Sequence, residues 1–252
     1  MSRPSLFARP LSGANARANA YRGELKGIIA RHRRHSAAWA PHLAESKGIV
    51  RDAITQCRGR DRAVVLGSGP LLDVPLDDLL AAFKEVVLVD IVHPVPVRLR
   101  GLLSRQLHVL AADLTGIGAQ PLSTERRYDP PALPQADLVV SLNLMSQLPI
   151  VPLNLMERQG VSEADQDKFA KRLVMAHYKW LRAQAGQICL ITDVERIAYN
   201  LDGEAVMRFD PLYGLKLPDG GTEWEWRMAP VGEIAKDGSL HHRVRGYADL
   251  AG

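Results

Sequence analysis

The residues richest in chemistry form one run, Ala63-Val64-Val65-Leu66-Gly67-Ser68-Gly69-Pro70-Leu71-Leu72. An apolar strand that runs straight into Gly-Ser-Gly makes a tight turn with little Cβ bulk. A ligand can then approach bare backbone at the carboxyl edge of a sheet. Asp90 ends the next apolar run, 23 residues past Gly67. A carboxylate placed there can accept from both hydroxyls of a ribose cis-diol. This spacing predicts a nucleoside or nucleotide site, although the same residues also suit a plain glycine turn with a helix-capping aspartate. A dinucleotide site calls for a third glycine where Leu72 stands, and Pro70 occupies the turn, so an NAD(P)-dependent oxidoreductase is disfavoured.

The elements that must hold these residues are legible as short apolar runs. Ala63–Leu66, Val86–Val89, Leu107–Ala112, Asp137–Leu142 and Gln187–Thr192 lack alternation, as strands buried on both faces do. Between them, Leu76–Phe83, Val97–Arg105 and Glu163–Ala185 suit helices. In the last, Phe169, Leu173, Ala176 and Trp180 fall at helical spacing behind Ser162, a candidate N-cap. Strand–helix alternation of this kind predicts a doubly wound, mostly parallel α/β sheet. Trp224, Trp226 and Met228 alternate with Glu225 and Arg227 behind the turn signal Asp219-Gly220-Gly221, and His241–Tyr247 suits a partner strand. Together they predict a C-terminal antiparallel hairpin at the sheet edge. Asn15 to about Cys57 reads as helical, with Pro41 ending one helix or starting the next.

Residues of about 60–195 resemble the class I S-adenosylmethionine-dependent methyltransferases. The resemblance implies a Rossmann-like, seven-stranded sheet, S-adenosylmethionine as cofactor and methyl transfer as the reaction. It implies that Gly67, Ser68 and Gly69 lie against the methionine and ribose, that Asp90 binds the ribose hydroxyls and that Ile91 packs on the adenine. It also brings Asp113 and its neighbour Leu114 to the adenine, and turns the Ser141–Gln147 loop with Asn143 toward the cofactor. Two positions depart from the family pattern. Leu66 stands where an acid often precedes the first glycine, and no Asn/Asp-Pro-Pro-Tyr/Phe motif follows the fourth strand. Amino-group methylation by that motif's mechanism is therefore unsupported.

The remaining candidates are less specific. His93 suits either a base at the pocket mouth or a surface histidine before a proline turn. Asn143, Ser146 and Gln147 offer hydrogen bonds at a strand's carboxyl end. Asp193 and Glu195 suit either an acid–base role or pairing with Arg196. His241-His242 lacks companions for a metal site. Trp224 and Trp226 suit packing more than base stacking. The chain itself names no catalytic residue.

The 252 residues are 46% hydrophobic and 24% charged, which excludes a wholly disordered chain or a disulfide scaffold. Cys57 and Cys189 stand too far apart for metal-ligand spacing, and a reducing compartment is the simplest setting. The net charge of +4 is divided: residues 1–58 hold eleven cations against three anions, while residues 59–252 sum to −4. This composition divides the chain into a basic helical extension, 1–58, and a Rossmann-like domain, 59–252. The arm suits either a polyanion such as RNA or docking onto the acidic body. No run is apolar enough to cross a membrane. The Arg-, Ala- and Ser-rich start admits an organelle transit peptide, but a cytoplasmic bacterial protein is the favoured setting. The leading expectation is a methyltransferase with an unidentified small-molecule or macromolecular acceptor. The alternative is an inactive methyltransferase-like module that uses its basic arm on RNA or a protein.

Overall fold

The computed structural model describes residues 14–117, 128 and 130–250. Two long helices, α1 (Ala14–Arg34) and α2 (Ser36–Gln56), precede the sheet. There follow β1 (Arg62–Leu66), α3 (Leu76–Ala82), β2 (Glu85–Asp90), α4 (Val95–Leu103), β3 (Leu107–Ala111), β4 (Leu138–Leu142), α5 (Ile150–Arg158), α6 (Glu163–Arg182) and β5 (Gln187–Asn200). Three further strands, β6 (Ala205–Phe209), β7 (Thr222–Ala229) and β8 (Gly238–Tyr247), complete the described chain.

The sheet runs β3-β2-β1-β4-β5-β8-β7, with β6 paired to β5 off this path. The first five strands of the path are parallel, while β8 lies antiparallel to both β5 and β7. This is the doubly wound sheet with a C-terminal antiparallel hairpin that the sequence predicts. The eighth strand, β6, is an addition to that expectation.

Cover on both faces explains the unalternating runs. Ala63 and Val65 of β1 face one apolar cluster with Leu79, Phe83, Val86 and Leu88, while Val64 and Leu66 face the other with Val87, Val89, Phe169 and Leu173. Ser162 caps α6, its Oγ accepting from the Asp165 N–H at 3.3 Å. The charge-defined segment 1–58 includes α2, whose Trp39, Val50 and Ala53 join the first cluster and are at most 2% exposed.

Pro41 lies inside α2 and neither ends nor starts a helix, in contrast to the sequence expectation. The break falls at His35 instead, where φ is −124° and ψ is 31°. Arg31, Arg34 and His35 converge on Glu233 in the segment between β7 and β8, which fixes the end of α1 to the body. These contacts hold the Glu233 carboxyl down at about 2, with the Arg34 hydrogen bond the largest cause and that of His35 next.

Candidate active site

The chain moves from β1 to β2 on one side and later returns to place β4 on the other side of β1. That reversal opens a crevice at the carboxyl ends of the central strands, where open α/β sheets bind ligands. Here it is a cavity whose floor comes from the loops after β1, β2, β3 and β4. Helices α1 and α2 and strand β7 form its far wall, through residues such as Leu25, Ile28, Trp39, His42 and Trp226.

Gly67 allows the two central loops to meet. Its φ is +74°, and an added Cβ would stand 2.9 Å from both the Leu142 carbonyl oxygen and the Leu144 Cβ. Gly69 follows at φ +45°, and its N–H donates to Asp90 Oδ2 at 2.8 Å. The N–H groups of Ile91 and Val92 donate to Asp90 Oδ1 at 2.7 and 3.4 Å. Burial raises the Asp90 carboxyl above its ordinary range, and these three donations pull it back.

Of the predicted site residues, Gly67, Gly69, Asp90, Ile91, Asp113, Leu114 and Asn143 all line this cavity. The Ser68 side chain does not: it is fully buried and meets His93 Nε2 at 3.1 Å. His93 is buried rather than at a surface turn, and desolvation lowers it to about 4. This pair braces the glycine turn from behind.

The loop after β3 is braced as well. Asp113 Oδ1 accepts from the Thr115 N–H at 2.9 Å and from the Thr115 hydroxyl. Tyr128 donates its one hydroxyl proton to the Leu114 carbonyl at 3.1 Å. Its oxygen must then accept from His177 Nδ1, 2.9 Å away. His177 Nε2 is left to accept from Ser141 at 3.4 Å. Burial lowers His177 to about 3, so it stays neutral in this relay.

At the far end, Trp226 stacks on His42 with centroids 4.1 Å apart and 7° between planes, and Trp39 meets Trp226 edge-on at 4.9 Å. Trp224 Nε1 donates to His42 Nδ1 at 3.0 Å. Asn143 sits in the left-handed region at φ +49°, and its Nδ2 donates to Asp73 Oδ2 at 2.9 Å. The Asn143 Oδ1 and Trp226 Nε1 atoms are buried without a partner among the described residues. Sequence reasoning gave no sign of Asp73 or His42, because only the folded loops and helices bring them to Asn143.

Other candidates hold structure. Asp193 is fully buried within β5, not at its end, and pairs with Arg196 at 3.0 Å and His242 at 3.1 Å. The pairing holds its carboxyl below the carboxylate range despite burial. Glu195 pairs with Arg208 and Arg243. Among the described residues no cluster of metal-ligating side chains forms, and no helix is long and apolar enough to cross a membrane.

No protein-family model matches the sequence, and no curated protein matches it. Solved structures do match. The N-methyltransferase NodS from Bradyrhizobium japonicum, in complex with S-adenosyl-L-homocysteine, is 12% identical over 80% of this chain and 85% of its own, with a TM-score of 0.38. A DhpI complex with S-adenosylhomocysteine is 14% identical over 88% of this chain and 95% of its own, at 0.39. The Burkholderia thailandensis 1,6-didemethyltoxoflavin-N1-methyltransferase is 11% identical over 98% and 93%, at 0.38. Likeness at this level transfers no activity, so the assignment of the cavity rests on its own geometry.

Proposed function

We propose that the chain is an S-adenosylmethionine-dependent methyltransferase whose cofactor lies between the glycine turn and Asp90. One observation carries this reading: Gly69, bare of a side chain, is joined to Asp90 at 2.8 Å on the wall of the switch-point cavity. The residues fit the group. The turn leaves open the space that a Cβ at residue 69 would occupy, since the nearest atoms, Asp90 Oδ2 and the Gly67 carbonyl oxygen, would each be 3.9 Å from it. A carboxylate offers about four lone-pair sites; the N–H groups of Gly69, Ile91 and Val92 use three, so Asp90 keeps one, on Oδ2, for a ribose hydroxyl. Ile91 and Leu114 provide apolar surface for an adenine ring, and Asp113 an acceptor for its amino group.

When bound, the cofactor supplies a methyl group made electrophilic by a sulfonium. The protein's own task is then alignment and exclusion of water. The glycine turn sets the depth of the site, Asp90 its rotation about the sugar, and α1 with α2 closes the side opposite the sheet. The Ser68–His93 and Tyr128–His177 braces hold the loops after β1 and β3 that line it.

Thermal shift tests the reading, because a ligand bound only by the native state raises its melting temperature. S-adenosylhomocysteine should protect and NADH should not. Protection by NADH alone would place a nicotinamide cofactor here. Protection by neither would favour a non-catalytic module.

A further inference from the structure

The nucleoside end of the cavity leaves a second end unexplained, where Asp73 and Asn143 face α1, α2 and β7. Three features set the chemistry of its ligand. Two carboxylates, Glu24 and Asp73, line the cavity beyond the Asp90 and Asp113 assigned to the nucleoside, and no lysine or arginine does among the described residues. The far wall is aromatic, built on Trp39, Trp226 and His42. Asn143 is 7% exposed, lines the cavity and leaves its carbonyl oxygen without a partner.

The hydrogen-bond network here has two arrangements, which differ in the groups they leave unpaired. An indole nitrogen only donates, so Trp224 fixes His42 Nδ1 as an acceptor and places the neutral ring's proton on Nε2. That proton faces the Asn143 amide, whose nitrogen is 3.4 Å away. With the amide nitrogen toward Asp73, the acid is ionised, Asn143 Oδ1 has no partner among the described residues, and the His42 Nε2 proton faces a donor instead of an acceptor. With the amide turned over, its oxygen accepts both from His42 Nε2 and from a protonated Asp73. The network thus accommodates a proton arriving on Asp73 by a half-turn of one side chain. Asp73 is surrounded by protein yet keeps accessible surface, and it lines the cavity. Burial raises its carboxyl, while the Asn143 hydrogen bond, its own backbone and the charge of Lys47 oppose the rise.

We propose that this end is the methyl-acceptor pocket, that it takes a small basic nitrogen compound (an aryl-bearing amine or an N–H heterocycle), and that Asp73 accepts the proton the nitrogen loses. The proposal rests on the S-adenosylmethionine reading above. The acceptor nitrogen first gives a proton to an Asp73 oxygen, so that a cationic amine is neutral when it reacts; its lone pair then forms the new C–N bond as the C–S bond breaks and its electron pair goes to sulfur. Asp73 then releases that proton to water. Cationic and N–H-bearing molecules suit an acidic, aromatic chamber, whereas a phosphate or carboxylate would meet like charge, with no lysine or arginine among the described residues that line the cavity. The residue after β4 is still asparagine, but the carboxylate comes from the loop after β1, so the Pro-Pro-aromatic motif is not required.

Calorimetric titration separates the outcomes. S-adenosylhomocysteine is titrated first. The saturated protein is then titrated with tryptamine, benzylamine and benzimidazole, and with indole-3-acetate and benzyl phosphate as anionic counterparts. The proposal expects binding among the first three and none by the anions. Asp73→Asn, which preserves shape and a partner for Asn143, should weaken the nitrogen probes by about tenfold or more while leaving S-adenosylhomocysteine affinity within about twofold. Anions that bind as well as the amines, an Asp73→Asn protein that keeps amine affinity, or failure of every nitrogen probe on the loaded protein would each overturn it. Failure of S-adenosylhomocysteine itself would instead remove the cofactor reading, and this inference with it.

Discussion

Alanine placed at Gly67 and at Gly69, one at a time, should damage different properties. At Gly67 a side chain must adopt φ +74° and drive its Cβ to 2.9 Å from the Leu142 carbonyl and the Leu144 side chain. A left-handed L-residue costs about 1–2 kcal/mol, and overpacking in a tight site adds about 1–3 kcal/mol. For a chain of this size that is a fall in melting temperature of about 5–15 °C. At Gly69 the φ of +45° carries the backbone cost, but the new methyl meets nothing nearer than Asp90 Oδ2 at 3.9 Å. The fall there should be about 2–8 °C, while the methyl occupies the space assigned to the ribose. Scanning calorimetry with S-adenosylhomocysteine titration reads both effects. Gly67→Ala should show the larger stability loss, and Gly69→Ala should lose about tenfold or more in affinity. If Gly67→Ala melts no lower than Gly69→Ala, or Gly69→Ala binds like the parent, the geometry assigned to the turn is wrong.

Three further outcomes are expected. His42 and His93 are held at about 4 and His177 at about 3, chiefly by burial, against an ordinary 6.5. Their stabilising contribution is complete above pH 6.5 and is lost as pH falls toward 4, by about 3 kcal/mol for His42 alone; urea unfolding at pH 7.5 and 4.5 should show a falling midpoint, and a flat profile would contradict the burial. Glu233→Gln loosens the end of α1, so trypsin should cut α1 faster, with no change in rate arguing against the Glu233 anchor. Since Glu233 sits near 2 when folded, its contribution is present above its ordinary value of 4.5 and is lost as pH falls through about 2. Tyr128→Phe removes the bond to the Leu114 carbonyl and strands a buried His177 N–H, at a cost of about 1–3 kcal/mol; an unchanged melting temperature would dismiss that relay.

What the sequence reveals follows from how directly each feature is written in local pattern. Strands β1, β2 and β4 were legible because cover on both faces leaves uninterrupted valine and leucine. Asp90 was legible because strand length fixes its distance from Gly67. Pro41 misleads because proline reads as a breaker, yet α2 continues through it, and the break at His35 carries no such marker. Helix α5 is concealed by Pro149 and Pro152, which occupy its N-cap and third residue, where no intrahelical N–H is needed. Strand β6 is exposed throughout, so it shows no buried face to alternate against. Asp73 and His42 lie 31 residues apart in the chain. They meet at Asn143 only because β4 is laid beside β1 and α2 packs against β4, a tertiary fact with no spacing of its own.

The central claim is that Asp90 and the glycine turn hold one nucleoside. Isothermal titration of S-adenosylhomocysteine into the parent protein and into Asp90→Ala tests it most directly. Saturable one-to-one binding that weakens by about tenfold or more in the variant, the worth of a charged hydrogen bond, is the predicted result. Absence of binding by the parent, or equal affinity in the two proteins, would contradict it.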